Sequence, residues 1–359
     1  MYFAVLGKNP EISMIELALV QAKEISYPKK GIVIFDTKYS ELLPQLWWTI
    51  KIGTVVKEKD LQELLKEVKI IWIQNEANGK HLKRTIGIRR YKLVDVFHTD
   101  REIKSKGKEI INLENGLYGI VEQYQNIEVY ETVDFGKPGR SMDMGMMPAK
   151  LAHMMINIWL TNVIHHSDLD IENLIIYDPF VWSWTTWMLA NHLGYDFIGS
   201  DIKTNYAEQN ATWRKTTKFY TPDKQFDIFK HDITEKLETQ LITGETKKNL
   251  LIVTEWRLWP IVSKTTSAQD IQKFQRQVLA IYKSFLERIQ ELSVWGLKPS
   301  AIFTIPYYAH QETSWGTNNN SLEKDISDYG TQIGLHIESI SEIYGREWQN
   351  VGRKIMIIK

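Results

Sequence analysis

Asp178-Pro-Phe-Val-Trp-Ser-Trp-Thr-Thr-Trp187 follows the apolar run Asn173-Leu-Ile-Ile-Tyr177, and its reading decides the fold. The run is short, continuously apolar and closed by an acid, as a strand buried on both faces is; a turn and a helical pattern come next. Strands and helices alternate from there onward. Strands are expected at 174–178, 196–201, 226–230, 250–255 and 301–306, with a closing pair near 336–341 and 354–358, and a long helix from Ala268 to Leu292 separates the fourth from the fifth. This rhythm predicts an α/β domain with a mostly parallel sheet. A helix over 148–158 leads into it, with Pro148 in the first turn, where a missing N–H does no harm.

The segment before the sheet is patterned differently. Tyr2-Phe-Ala-Val-Leu6 and Gly31-Ile-Val-Ile-Phe35 read as strands, Ser13 as a helix cap with Glu16 at the capping-box position, and 60–69 as a second amphipathic helix. Leu117-Tyr-Gly-Ile-Val121 and Ile127-Glu-Val-Tyr130 read as two more strands. Glycine and proline then punctuate Asp134-Phe-Gly-Lys-Pro-Gly-Arg140, which makes the best boundary. The expected organisation is a smaller α+β domain over 1–135 and the α/β domain over 136–359.

Composition sets outer limits on function. With 359 residues, 43% hydrophobic and 25% charged, the chain is long enough for two cores and ordinary for a soluble protein. It has no cysteine, hence no disulfide and no thiolate metal site. The start, Met1-Tyr-Phe-Ala-Val-Leu6, lacks the basic leader of a signal peptide, and no apolar stretch approaches the roughly 20 residues of a membrane span. A cytoplasmic protein without a membrane partner is expected. His165-His166 has no ligand spacing around it, so no metal is assigned. Acids and bases balance at 44 each, but Lys80–Lys108 holds ten Lys or Arg against three acids. Such a segment, with Arg84, Arg89 and Arg90 near its centre, can contact phosphates; it can equally be a solvated face.

In an open parallel sheet, ligands bind beyond the carboxyl ends of the strands. The first strand ends in Asp178-Pro179-Phe180 and enters a helix whose free N–H groups favour an anionic group such as a methionine carboxylate. The second ends in Gly199-Ser-Asp201, where a carboxylate can accept from ribose hydroxyls, and the third is followed by His231-Asp232, placed to accept from an adenine amino group. The fourth ends in Thr254-Glu255-Trp256-Arg257-Leu-Trp259-Pro260.

Residues 134–359 resemble the RNA methylase family that includes archaeal and eukaryotic tRNA guanine-N2 methyltransferases, in which a Rossmann-like domain follows a THUMP-type RNA-binding region. The matching pieces are Gly136-Lys-Pro-Gly-Arg140, Pro148-Ala-Lys-Leu-Ala-His-Met-Met-Ile-Asn157, the loop after Asp178, which is similar to D-P-F-x-G-S-G-T-T, and Asn191-His-Leu-Gly-Tyr-Asp-Phe-Ile-Gly-Ser-Asp-Ile202. The N-terminal domain is only loosely similar to the family's RNA-binding modules. The resemblance implies S-adenosylmethionine (SAM) as cofactor, held by Asp178, Pro179, Phe180, Trp182, Ser183, Trp184, Thr185, Asp201, Ile202, Asp232 and Pro148. It implies an RNA partner, tRNA in the family, with Arg140, Arg257, Arg84, Arg89 and Arg90 as contacts. It also implies catalysis on the fourth strand, where Glu255 and Thr254 replace the D/N-P-P-Y/F that grips an exocyclic amine. The alternatives are a DNA amino-methyltransferase, which shares the D-P-F-x-G-S-G-T-T frame but is weakened by the same missing motif, and a non-catalytic RNA-binding scaffold if the loop tryptophans are genuine. Ile305-Pro-Tyr-Tyr308 imitates the lost motif one strand too late.

The second departure is tryptophan. Trp182 and Trp184 stand where the family loop has glycine, and indoles there are expected to obstruct the cofactor. Trp47, Trp48, Trp187, Trp256, Trp259 and Trp348 also stand where glycine reads better, whereas Trp213 looks like a true aromatic. Thirteen tryptophans beside twenty glycines is an unusual balance. A single codon, UGA, read as glycine in some bacterial lineages and as tryptophan in others, accounts for an exchange in one direction. Glycine is therefore the expected native residue at most of these positions.

Overall fold

The computed structural model describes residues 1–7, 10–40, 43, 46, 48–94, 100–140, 146–164, 174–237, 249–256, 262–263, 265–295, 297, 299–308, 320–340 and 350–358. The chain divides into two compact units, Met1–Asn126 and Ile127–Lys359. The division falls upstream of the glycine- and proline-bearing segment. Among the described residues, no helix is long and apolar enough to cross a membrane.

The first unit is an eight-stranded sheet with helices. Its elements run β1 (Tyr2–Val5), α1 (Pro10–Leu19), β2 (Lys23–Lys29), β3 (Ile32–Asp36), β4 (Lys51–Lys57), α2 (Glu58–Leu64), β5 (Ile71–Ile73), α3 (Glu76–Thr85), β6 (Tyr91–Leu93), α4 (Asp100–Lys106), β7 (Lys108–Asn112) and β8 (Leu117–Tyr124). Strand order is β2-β3-β1-β4-β8-β7-β5-β6, antiparallel except where β5 pairs with β6 and β7. Neighbouring residues serve opposite faces: Ile71, Ile73 and Ile110 join one core with Leu61 and Leu82, while Trp72 and Ile111 join the other with Phe3 and Ile34. This is the period-two signature of a sheet covered on both sides.

One local expectation fails here and one strand was not foreseen. Ser13 does not cap a helix: α1 starts at Pro10, and Ser13 and Glu16 are buried inside it. Ser13 Oγ accepts from Gly7 N at 3.0 Å and Glu16 Oε2 from Trp48 N, so the two polar groups bind loop backbone instead of the helix start. Strand β2 escaped the sequence reading because its residues are mostly exposed and polar, leaving no apolar alternation to detect.

The second unit runs α5 (Ile127–Glu131), a π-turn (Thr132–Gly136), α6 (Ala149–Ile164), β9 (Leu174–Asp178), α7 (Thr185–Leu193), β10 (Asp196–Asp201), α8 (Asn205–Arg214), β11 (Phe226–Lys230), β12 (Asn249–Glu255), α9 (Ala268–Val294), β13 (Ser300–Tyr308), α10 (Asn320–Gln332), β14 (Ile337–Ser339) and β15 (Val351–Ile358). Ile127–Tyr130, expected as a strand, is helical; four apolar-rich residues cannot separate the two periods. The sheet order is β11-β10-β9-β12-β13-β15-β14. β9 to β13 pair in parallel, and β15 enters antiparallel between β13 and β14.

Burial on both faces explains the apolar strands. On one face Ile175, Tyr177, Leu250, Ile252 and Phe303 meet Val278, Tyr282, Phe285, Leu286 and Ile289 of α9. Those α9 positions recur at three- and four-residue steps, the spacing of one helical stripe. Ser267 caps α9, its hydroxyl accepting from Asp270 N at 3.1 Å. On the opposite face, α6 lies against β12 and β13, and α7 against β9 and β10. Pro306 is tolerated in β13 because its register partner there is Arg353 on β15, while pairing with β12 has ended at Thr304.

Candidate active site

Strand order reverses between β9 and β12, and beyond the carboxyl ends of β9, β10 and β12 lies a cavity of about 370 Å³. Asp178, Asp201, Asp232 and Glu255 all face it, each from a different strand end. A crevice at such a switch point is where a doubly wound sheet binds its ligand.

The acids are held differently. Asp178 is buried, and its Oδ1 accepts from Phe180 N at 3.0 Å and from the Thr254 hydroxyl at 2.5 Å. Burial pushes its pKa up to about 6, although hydrogen bonds from Thr186, Thr254 and Phe180 oppose the shift. Asp201 is also raised by burial; its two oxygens accept from Trp182 N and Lys203 N, both at 3.0 Å. Asp232 moves the other way, because Thr234 donates to it from both backbone and hydroxyl, at 2.9 and 2.8 Å. Ile202, 55% exposed, and Ile233 give the same end of the cavity apolar walls.

The loop 178–187 adopts a backbone suited to glycine at two positions. Trp182 has φ 21° and Trp184 φ 64°, ψ 25°. Trp184 is the N-cap of α7 in the left-handed region, which an L side chain with a bulky Cβ substituent strongly disfavours. The obstruction expected of Trp184 does not occur, whereas Trp182 does line the cavity. The Trp184 ring turns away from the cavity into the core, 4.2 Å from the Trp187 ring and 5.3 Å from Phe226, fully buried and with its Nε1 unpartnered. Trp182 lines the cavity edge and meets Tyr206 edge-on at 5.9 Å.

Glu255 closes the far end. Its carboxylate is buried and paired with Arg353 of β15, whose Nε and Nη2 both donate to it, and Thr304 adds a hydroxyl at 3.0 Å. Trp256, Met146 and Met147 stand beside it on the cavity wall.

The sheet carries an antiparallel strand inserted as the sixth of seven positions, next to a five-strand parallel core, with ligand-facing acids at consecutive strand ends. This is a Rossmann-like, doubly wound sheet with one antiparallel insertion. No family model and no curated protein sequence matches the chain. Among solved structures it is similar to the delta-N METTL16 MTase domain, with 13% identity over 64% of this chain and 91% of that one, TM-score 0.41. It is also similar to the human methyltransferase 10 domain containing protein, with 12% identity over 65% and 96% and TM-score 0.38. A third is magnesium protoporphyrin IX methyltransferase from Synechocystis PCC 6803 with bound SAH, with 10% identity over 65% and 99% and TM-score 0.36.

Of the residues expected at the cofactor, Pro179, Phe180, Ser183, Thr185 and Ile202 line the cavity with the acids. Thr254, Trp184 and Pro148 do not. Thr254 is buried against Asp178, and Pro148 offers its carbonyl to Leu151 N and Ala152 N at the start of α6. Arg140 is exposed and does not line the cavity, and Arg84, Arg89 and Arg90 are exposed on the first unit. Arg257, Trp47, Trp259, Trp348 and His165-His166 lie outside the described residues. Sequence reasoning missed Arg353, Asn210 and Lys137. Lys137 stood within the quoted Gly136–Arg140 match, but nothing in its neighbours signals that it is buried.

Proposed function

We propose that the chain is a SAM-dependent RNA methyltransferase acting on an exocyclic base amine, guanine N2 of tRNA. The observation that carries the reading is the convergence of Asp178, Asp201, Asp232 and Glu255 on one cavity at the switch point of this fold. The cavity volume lies in the range of small-ligand sites, and its fittings suit SAM. Asp232 is an ionised acceptor for an adenine amino group, Ile202 and Ile233 offer flat apolar walls, and Asp201 keeps lone pairs for ribose hydroxyls. Bound SAM supplies an electrophilic methyl group. Glu255 orients the incoming amine by accepting one of its N–H groups, with Arg353 fixing the carboxylate in place. A neutral amine needs alignment more than a strong base, so one acceptor and a stacking platform suffice for the step. RNA as the substrate is supported by the exposed arginines of the first unit and by the family resemblance of the Gly136–Arg140 and Asp178 segments.

The reading extends to the native residue at 182 and 184, which is glycine. Trp184 pairs a left-handed φ with a buried, unpartnered Nε1, an arrangement that costs about 1–3 kcal/mol for the orphan donor alone. UGA codons at 182 and 184 beside UGG at 213 agree with this; UGG at 182 and 184 rejects it. The functional test is transfer of tritiated methyl from SAM to bulk tRNA and to duplex DNA, for the chain with tryptophan and with glycine at 182, 184, 187, 256 and 259. Label in tRNA guanine supports the proposal. Label in DNA alone points to the DNA amino-methyltransferase, and SAM binding without transfer points to the scaffold.

A further inference from the structure

Lys137 is a buried cation with no part in the methyl transfer itself. It is 1% exposed, and its Nζ donates to two uncharged partners, Ser183 Oγ at 3.1 Å and Thr185 Oγ1 at 2.6 Å. Burial lowers its pKa to about 7, with Asp134 opposing the shift and Arg140 adding to it. Burying an ammonium among hydroxyls is costly, and with a pKa of about 7 Lys137 holds its proton fully only where a nearby anion favours the charged form.

Donor bookkeeping shows the direction in which the charge acts. An ammonium has three donors and no acceptor. When Lys137 carries its proton, both hydroxyl oxygens accept from it and their own hydrogens point away from Nζ; the two oxygens lie 3.5 Å apart, so one hydrogen can bridge them while the other is left for the cavity. Ser183, just before the N-cap of α7, and Thr185, its first residue, line the cavity, whereas Lys137 is buried and does not. Asn210 of α8 holds the layers in register: its amide donates to Gly139 O at 2.8 Å and Ser183 O at 2.9 Å, and its oxygen accepts from Gly139 N at 2.7 Å. The segment carrying Lys137 cannot slide away from the loop without breaking these bonds. The α7 N-terminus adds partial positive charge at the same corner.

We propose that Lys137 is a positioning residue for the anionic end of the cofactor, turning the hydroxyls of Ser183 and Thr185 into donors that face a carboxylate in the cavity. The inference rests on the SAM reading and assigns the methionine carboxylate to this corner. Its consequence is selective, since only ligands that carry the carboxylate should notice the loss of the charge.

The test compares two probes by calorimetry, S-adenosylhomocysteine (SAH), which has the amino-acid end, and 5′-methylthioadenosine, which lacks it. It uses the full chain with whichever of tryptophan or glycine at 182 and 184 binds cofactor. Lys137→Met should weaken SAH roughly tenfold and 5′-methylthioadenosine less than about twofold. Thr185→Val, near-isosteric and without the relaying hydroxyl, should show the same split, and it reads the proposal even where Lys137→Met does not fold. A structural role for Lys137 would weaken both probes alike, and that result, or no change in either, overturns the proposal. If neither probe binds the unsubstituted protein, the SAM reading fails and the inference with it; if both bind without a split in the variants, the inference fails alone.

Discussion

Asp178 shows how one residue can be legible in position yet not in state. Its place at the end of an apolar run is enough to mark it as a strand-end acid. Its pKa of about 6 comes from burial, which outweighs the hydrogen bonds from Thr186, Thr254 and Phe180, and no sequence window contains that packing. The unfolded chain releases this proton near the ordinary 3.8 and the folded chain only near 6. Between those values the native state binds more protons, so this group makes stability fall as pH rises. Asp178→Asn keeps an oxygen to accept from Phe180 and Thr254 and removes the charge. Urea denaturation should find the variant equal to the parent at pH 3.5 and more stable by on the order of 1–3 kcal/mol above pH 6.5. A constant difference at both pH values would show that the carboxylate is not shifted. Lys137 is the opposite case. Its burial depends on Asn210, 71 residues from Gly139 along the chain, so only tertiary packing makes it visible.

At the scale of elements, long apolar runs and capped helices declared themselves, and short or polar ones did not. Strands β9, β10, β11, β12 and β13 and helix α9 lie where their patterns placed them, the central strands because both faces of the sheet are covered and the edge strand β11 although its residues are half-buried or exposed. Strand β2 and helix α5 were missed or misread, one too exposed to alternate and the other too short to show a period. The pairing of β12 with β15 through charge was also illegible, since Glu255 and Arg353 meet across 98 residues and across an intervening strand. The ion pair is nearly inaccessible, with side-chain exposures of 5% for Arg353 and 1% for Glu255. Arg353→Met leaves a buried carboxylate alone and should cost about 3–5 kcal/mol in chemical denaturation. Adding Glu255→Gln should restore part of that loss, while equal losses in the single and double variants would deny the coupling.

At the scale of the molecule, the two units divide the expected labour. Every residue lining the cavity belongs to the unit 127–359, and the arginine group near α3 belongs to the unit 1–126. Arg84, Arg89 and Arg90 are exposed and carry no part of either core. Replacing all three by Glu should leave SAM affinity unchanged, lower methyl transfer to tRNA by roughly tenfold or more, and flatten the salt dependence of tRNA binding. Unchanged transfer would place RNA recognition elsewhere. The substrate class and the native residues at 182 and 184 both depend on the cavity holding SAM. The most direct measurement is calorimetric titration of SAM into the full chain, with tryptophan and with glycine at 182 and 184, alongside Asp201→Ala. The account predicts one saturable site in the glycine chain, weakened by roughly tenfold or more in the Asp201 variant; saturable binding in neither chain would contradict it.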